Sequence, residues 1–275
     1  MPLRPRSWPL VAIAVVVLSL PIVGGYTWLL LSSLSREVHG LLPVGGFHLE
    51  NWRFLWEGVE GRPSVWVALG NSFLFAALVA ALEVFVSSMA AYAISRMRFP
   101  GRPLYLGLVL VLHAFPAVSL LIAIFYVLRV LGLFDTLTGV ILVKASLDLP
   151  LGIWLLKGFF DGLSWEVEMA ALVDGASRWG TFWRIGLPLI RPGLLALGTF
   201  ALLSAWGEFI LPYTLIVSSR RWTLALYLQS LIGDFTFVDY GLLAAVGLYY
   251  MVPVIALFLL GQRYLLNIYG GGVKG

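Results

Sequence analysis

The sequence predicts an all-α integral membrane fold with six transmembrane helices, and three observations predict it. Hydrophobic residues make up 60% of the 275, charged residues only 12%, and the mean hydropathy is +0.95. A soluble domain carries about 25% charged residues, so there is too little polar material here to clothe a core. The solvent for most of this surface is therefore lipid. Second, six apolar stretches are each long enough to cross a hydrocarbon layer of about 30 Å as a helix. Third, most charged residues lie at the ends of those stretches or in the segments that connect them.

The spans are expected near 10–31, 65–93, 104–128, 138–160, 193–217 and 240–262, within a single domain covering 1–275. Arg4 and Arg6 precede the first. That run is too long for the apolar region of a signal peptide, and no A-x-A-like cleavage site follows, so it is expected to be retained. The second and fifth are long enough to require tilt or an internal break. Pro150 in the fourth removes a backbone donor and is expected to kink it. Segment 32–64, rich in Gly, Pro, Trp and Phe, is expected to fold on the outer surface, and 161–192 forms a long inner loop. Trp8, Trp28, Trp66 and Tyr264 sit near span ends and suit interface anchors.

Orientation follows from the basic residues. With the N-terminus in the cytoplasm, eleven of the 18 Lys and Arg fall inside and six outside, while Lys144 lies within a span. The positive-inside rule thus favours both termini in the cytoplasm. The same scatter of basic residues excludes the clustered patch that nucleic acid requires. The absence of cysteine excludes disulfides and thiolate metal sites. His39, His48 and His113 show no metal-ligand spacing, so no metal site is expected.

Four charges fall inside predicted spans: Glu83, Lys144, Asp148 and Glu208. A charge at the centre of an isolated membrane helix costs about 2.5–3.5 kcal/mol, so each must face protein or water and have a partner. Lys144 and Asp148 are four apart and can pair along one helix face. Two readings stand side by side: groups that line or gate a path, and ion pairs that hold helices together.

The inner loop reads DGLSWEVEMAALVDGASRWGTFWRIGLPLIRPG. Ser164 can cap a helix whose positive end suits Glu166 and Glu168. Val167, Ala170, Ala171 and Asp174 recur at i, i+3, i+4 and i+7, so they share one face. Gly175 can take the left-handed conformation that ends a helix, and Ser177 can cap the next. That second helix carries Phe182, Trp183 and Ile185, and Pro188 prevents its clean continuation. Such a pair could lie at the membrane interface as a plain connection, or it could serve a cytoplasmic motor as a handle.

The loop resembles the EAA loop of binding-protein-dependent ABC importers, whose pattern is E-A-A-x3-G-x9-I-x-L-P. Ala170, Ala171, Gly175, Ile185, Leu187 and Pro188 match in register. The acidic position is Met169, and Glu168 stands one residue earlier, about 100° away around a helix of 3.6 residues per turn. Other fragments resemble the smaller membrane subunit of maltose-type carbohydrate importers. They are Gly70-Asn71-Ser72, Ala90-Ala91-Tyr92-Ala93, Arg96-Met97-Arg98-Phe99-Pro100-Gly101, Phe115-Pro116-Ala117-Val118 and Lys157-Gly158-Phe159-Phe160. The tail adds Gln262-Arg263-Tyr264-Leu265 and Gly271-Gly272-Val273-Lys274-Gly275.

The resemblance implies a permease of the bacterial inner membrane that assembles with a second permease, two ATPase subunits and an extracytoplasmic sugar-binding protein. ATP and Mg would be held by the ATPase subunits, with no cofactor in this chain. Glu168, Ala170, Ala171, Asp174, Gly175, Ile185, Leu187 and Pro188 would form the ATPase-coupling helix region. The tail Gly271, Gly272, Val273, Lys274 and Gly275 would reach the ATPase interface, and segment 218–239 would enter the binding protein. The cargo implied is a small oligosaccharide, an α-glucoside such as maltose or trehalose. No G-x-x-x-x-G-K-[ST] loop occurs, so the chain itself is not expected to be an enzyme. An ion-driven secondary transporter and an intramembrane transferase are the competing functions. The former is disfavoured by the lack of an inverted repeat, the latter by the spread of the four buried charges over three spans.

Overall fold

The computed structural model describes residues 8–39, 42–233 and 238–270. Helix α1 covers Trp8–Ser33 and passes through Pro21. Its apolar window is exposed on all sides, as a helix needing lipid or another chain would be. A hairpin follows, β1 (Ser35–His39) antiparallel to β2 (Leu42–Phe47), then a 3-10 turn over Glu50–Leu55. Asn51 Nδ2 donates to the Ser33 and Ser35 carbonyls at 3.2 and 2.9 Å, closing the end of α1.

Helices α2 (Val65–Arg96) and α5 (Leu137–Asp161) are the long members of the middle of the chain, and between them lie α3 (Arg102–His113) and α4 (Ala117–Val130). The expected single span over 104–128 is therefore two helices. Pro116 lacks an N–H and stands extended (φ −60, ψ 127) as the residue before α4. It also disfavours helical geometry at Phe115. Helix α5 runs through Pro150 without interruption and packs against α3, α4 and two later helices.

After α5 come α6 (Trp165–Val173), α7 (Arg178–Thr181), a π-helical turn (Phe182–Gly186), α8 (Leu187–Leu189) and α9 (Arg191–Trp206). Pro188 cannot donate into the preceding turn, and the chain accommodates it between the wide π turn and a bend at Ile190. Across that bend the axis turns by 75°. The expected span over 193–217 is also interrupted: α9 stops at Trp206, and α10 (Ile210–Leu215) restarts after three residues. A 3-10 turn (Ser219–Arg221), α11 (Leu224–Ser230) and α12 (Tyr240–Gly270) complete the order.

Among the described residues, four helices are long and apolar enough to cross a membrane, or five if the bent pair counts as one span. The chain forms two compact units, Met1–Val65 with Tyr227–Val252, and Trp66–Leu226 with Pro253–Gly275. The second unit contains a core of Ala91, Tyr92, Leu156, Phe160, Phe182, Ile190 and Leu197. There the Tyr92 ring meets Phe160 edge-on at 5.3 Å and Phe182 at 5.0 Å. This core joins α2, α5, the π turn and α9 at the level of the loop.

Candidate functional site

The loop's local geometry follows from its own residues. Ser164 Oγ accepts the Glu166 N–H at 3.3 Å, and Ser177 Oγ accepts the Gly180 N–H at 3.0 Å. Between those two caps Gly175 sits at φ +89, a conformation that costs a side chain but not glycine. The Gly175 and Ala176 N–H groups close α6 by donating to Leu172 and Ala171 carbonyls. Ala170, Asp174, Gly175 and Pro188 are exposed, and Ala171, Ile185 and Leu187 are half-buried. Leu187 packs on the Tyr92–Phe160 core, so it supports the loop from within.

Glu168 does not share the exposed face. It is 2% exposed, and its Oε1 accepts from Arg96 Nε at 2.7 Å. The Tyr92 hydroxyl donates to its Oε2 at 3.2 Å. The Arg96 side chain is 7% exposed. It also donates to the Leu163 carbonyl at 3.2 Å and lies over the Trp165 ring at 5.4 Å. One residue on, Met169 is exposed. The displacement of the acid by one position thus turns it inward onto the end of α2.

At the same end, Asp161 pairs with Lys157 and accepts from the Ser95 hydroxyl at 2.6 Å. The tail 271–275, Lys274 included, lies outside the described residues.

Three of the four span charges meet, Glu208 joining the Lys144–Asp148 pair from 60 residues or more away, while the Glu83 Oε2 is buried without a hydrogen-bond partner among the described residues. Lys144 Nζ lies 3.0 Å from Asp148 Oδ2 and 3.3 Å from Glu208 Oε2, and donates to Ser204 Oγ at 3.1 Å. Lys144 Nζ donates hydrogen bonds to Asp148 Oδ1 at 3.2 Å and to Ser204 Oγ, and the Glu208 carboxylate adds a second counter-charge, so the ammonium is compensated away from water. Glu208 stands in the break between α9 and α10, where its Oε1 accepts the Leu211 N–H at 3.2 Å. Glu83, 1% exposed, faces α5 at Gly152. A Cβ on Gly152 would lie 2.5 Å from Ser87 Oγ and 3.0 Å from Glu83 Oε1, so any other residue would have to displace these side chains. Packing thus gathers Lys144, Asp148 and Glu208 from two of the expected spans, while Glu83 stays on a third helix without an ion pair among the described residues.

A second fastening lies at the opposite end of α5. Asp135, left-handed at φ 55, accepts the Val217 and Ser218 N–H groups at 2.8 and 2.9 Å on Oδ1. Its Oδ2 accepts the Ser218 hydroxyl and Arg221 Nη1, the latter at 2.9 Å. Burial pushes the Asp135 carboxyl up, but the Ser218 and Val217 hydrogen bonds and the Arg221 charge outweigh it. They bring it down to about 2. Nearby, Asn71 Nδ2 donates to the Arg220 and Trp222 carbonyls at 3.0 and 2.9 Å, and Ser72 Oγ accepts the Leu224 N–H at 2.7 Å. Sequence reasoning missed Arg96, Tyr92 and Asp135 as partners, because their contacts span 72 to 86 residues and leave no local spacing.

Comparison with known proteins places this geometry in context. The family described as "Binding-protein-dependent transport system inner membrane component" matches residues 83–266. The sulfoquinovosyl glycerol transport permease SmoH of Agrobacterium fabrum is 32% identical over 251 residues, which cover 90% of this chain and 87% of that protein. The trehalose transport permease SugB of Mycobacterium tuberculosis is 33% identical over 210 residues, covering 76% and 77% respectively. In fold, the chain is similar to a crystal structure of a bacterial ABC transporter involved in alginate import. The TM-score is 0.80 at 22% identity, with 96% of this chain and 99% of that one covered.

Proposed function

This chain belongs to the binding-protein-dependent transport system inner membrane components, and from that premise we propose that it is the permease subunit of an ATP-driven sugar importer. In this reading six spans, two of them interrupted, hold the chain in a bacterial inner membrane with both termini in the cytoplasm. It forms the path together with a second permease, and an extracytoplasmic binding protein delivers the sugar. The cargo is a small oligosaccharide of the α-glucoside class, such as maltose or trehalose, in keeping with the trehalose permease among its relatives. Two separate ATPase subunits bind ATP and Mg and do the hydrolysis, so this chain transports without catalysing a reaction.

The observation that carries the reading is the exposed edge of the 161–192 loop. Small residues Ala170 and Gly175 face outward between two capped helix ends, where another surface can approach the backbone closely. This edge would be the ATPase dock, with Asp174 and Pro188 at its margins. The tail Gly271–Gly275 would reach the same ATPase interface, and 218–239 would meet the binding protein.

The test is the assembled complex in proteoliposomes. Ala170→Arg with Gly175→Asp should lower binding-protein-stimulated ATP hydrolysis and trehalose uptake by roughly 100-fold, a few kcal/mol at one interface hot spot. Unchanged stimulation in a fully assembled complex would remove the docking role. The meeting of Lys144, Asp148 and Glu208, with the buried Glu83 on the neighbouring helix, is the one observation that suits an ion-driven transporter instead. That reading predicts uptake that survives loss of the ATPase subunits and collapses with the proton gradient.

A further inference from the structure

We infer that the Arg96–Glu168 pair, steadied by Tyr92, is a positioning latch that carries movement of the 161–192 loop into helix α2. The inference rests on the coupling reading above and assigns the route by which coupling enters the membrane.

Helix α6 is joined covalently to α5 on one side and, through Gly175 and the π turn, toward α9 on the other. Neither connection leads to α2, whose last residue is Arg96. Beside the Ser95–Asp161 hydrogen bond and the Tyr92 ring packing, the latch supplies a charged, buried connection from α6 itself. Arg96 meets the start of the loop at three places: the Leu163 carbonyl, the Trp165 ring and the Glu168 carboxylate. The loop start and the α2 end are therefore held as one piece.

Chemistry makes this contact different from the apolar packing around it. Apolar side chains slide past one another at little cost. A buried guanidinium–carboxylate pair does not, because separating it strands two charges away from water. Glu168 and Arg96 are both almost fully buried, so this pair moves intact or breaks outright. Along α2, Glu83 lies 13 residues before Arg96, about 20 Å at 1.5 Å per residue. There it faces Gly152 of α5, the helix that carries Lys144 and Asp148. One rigid helix thus joins the loop to the level of the intramembrane charges. The inward turn of the acid at 168, with Met169 left outside, is what makes the latch possible.

The chain contains no cysteine, so single spin labels can be attached to it at Val173→Cys on the loop and, separately, at Leu78→Cys on α2, before assembly with the partner subunits. Both native side chains are exposed. The experiment uses the complex with its second permease and ATPase subunits in lipid, and reads each label before and after addition of ATP with Mg and vanadate. In the parent, both labels should respond. In Glu168→Gln the loop response should persist while the α2 response falls by roughly tenfold, the scale of a typical coupling free energy. The charge exchange Arg96→Glu with Glu168→Arg should restore it. Tyr92→Phe, which deletes a single hydroxyl, should lower it about twofold, the effect of part of one hydrogen bond.

An α2 response that stays full in both Glu168→Gln and Tyr92→Phe overturns the latch. So does an exchange variant that assembles without recovery. A parent complex in which neither label responds would instead count against the coupling reading itself.

Discussion

Two acids on either side of α5, Asp135 just before it and Glu168 on α6 after it, fasten other parts of the second unit, and they do so by opposite physics. Asp135 holds the 217–221 segment by accepting backbone N–H groups and one hydroxyl, with Arg221 as an exposed fourth partner. Glu168 holds the end of α2 through a charged side chain, out of water. The first contact is a set of separate hydrogen bonds, each replaceable by solvent. The second is a single unit whose halves cannot be left apart. A segment that must adapt to a docking partner is suited by the first kind, and a segment that must transmit displacement by the second.

Removing one partner at each fastening sharpens that contrast. Arg96→Ala should have the largest effect, because it leaves the Glu168 carboxylate buried without its counter-charge. Loss of one member of a buried pair costs about 3–5 kcal/mol, read as a large fall in the thermal midpoint of the purified protein. A loss below about 1 kcal/mol, the range of surface pairs, would make the two fastenings equivalent and break the comparison.

Asp135→Asn should cost less, about 1 kcal/mol, since the amide keeps part of the hydrogen bonding and the site is partly solvated. Its signature is in pH. The Asp135 carboxyl is lowered from its usual 3.8 to about 2, so its stabilisation is fully present above the unfolded value. It is lost as pH falls through the folded one. The parent should therefore lose this contribution between about pH 4 and pH 2, and Asp135→Asn should not show that component. Identical acid profiles for the two proteins would show that the clasp contributes nothing.

Lys157→Ala should be the smallest of the three. Its pair with Asp161 is an i,i+4 contact with the acid 41% exposed, and such pairs contribute about 0.3–0.5 kcal/mol. A shift as large as that of Arg96→Ala would mean that burial is not what separates the two ends.

Much of the loop was legible from residues close together in sequence. Ser164, Gly175 and Ser177 mark helix ends by interactions spanning two to five residues, and their roles follow from cap chemistry and backbone sterics alone. The pairing of Lys144 with Asp148 was legible for the same reason, being one helical turn. The break at Pro116 was also local, yet a continuous apolar run from 104 to 128 hid it, because hydropathy counts side chains and is blind to a missing N–H. Length alone allowed for a break in the span over 193–217, but its position at 207–209 follows from Glu208 capping α10.

Composition and periodicity alone determined that this chain lives in lipid, that its loop is a helix–glycine–helix, and that its buried charges need partners. Those conclusions depend on the solvent and on contacts within a few turns, which the order of residues specifies directly. Only the tertiary structure decided that Glu208 joins Lys144, that Glu83 meets α5 at a glycine, and that Glu168 turns inward to Arg96 instead of standing on the exposed face. Each of those contacts joins residues about 60 to 70 apart. Their pairing depends on how rigid helices pack, and no spacing along the chain encodes it.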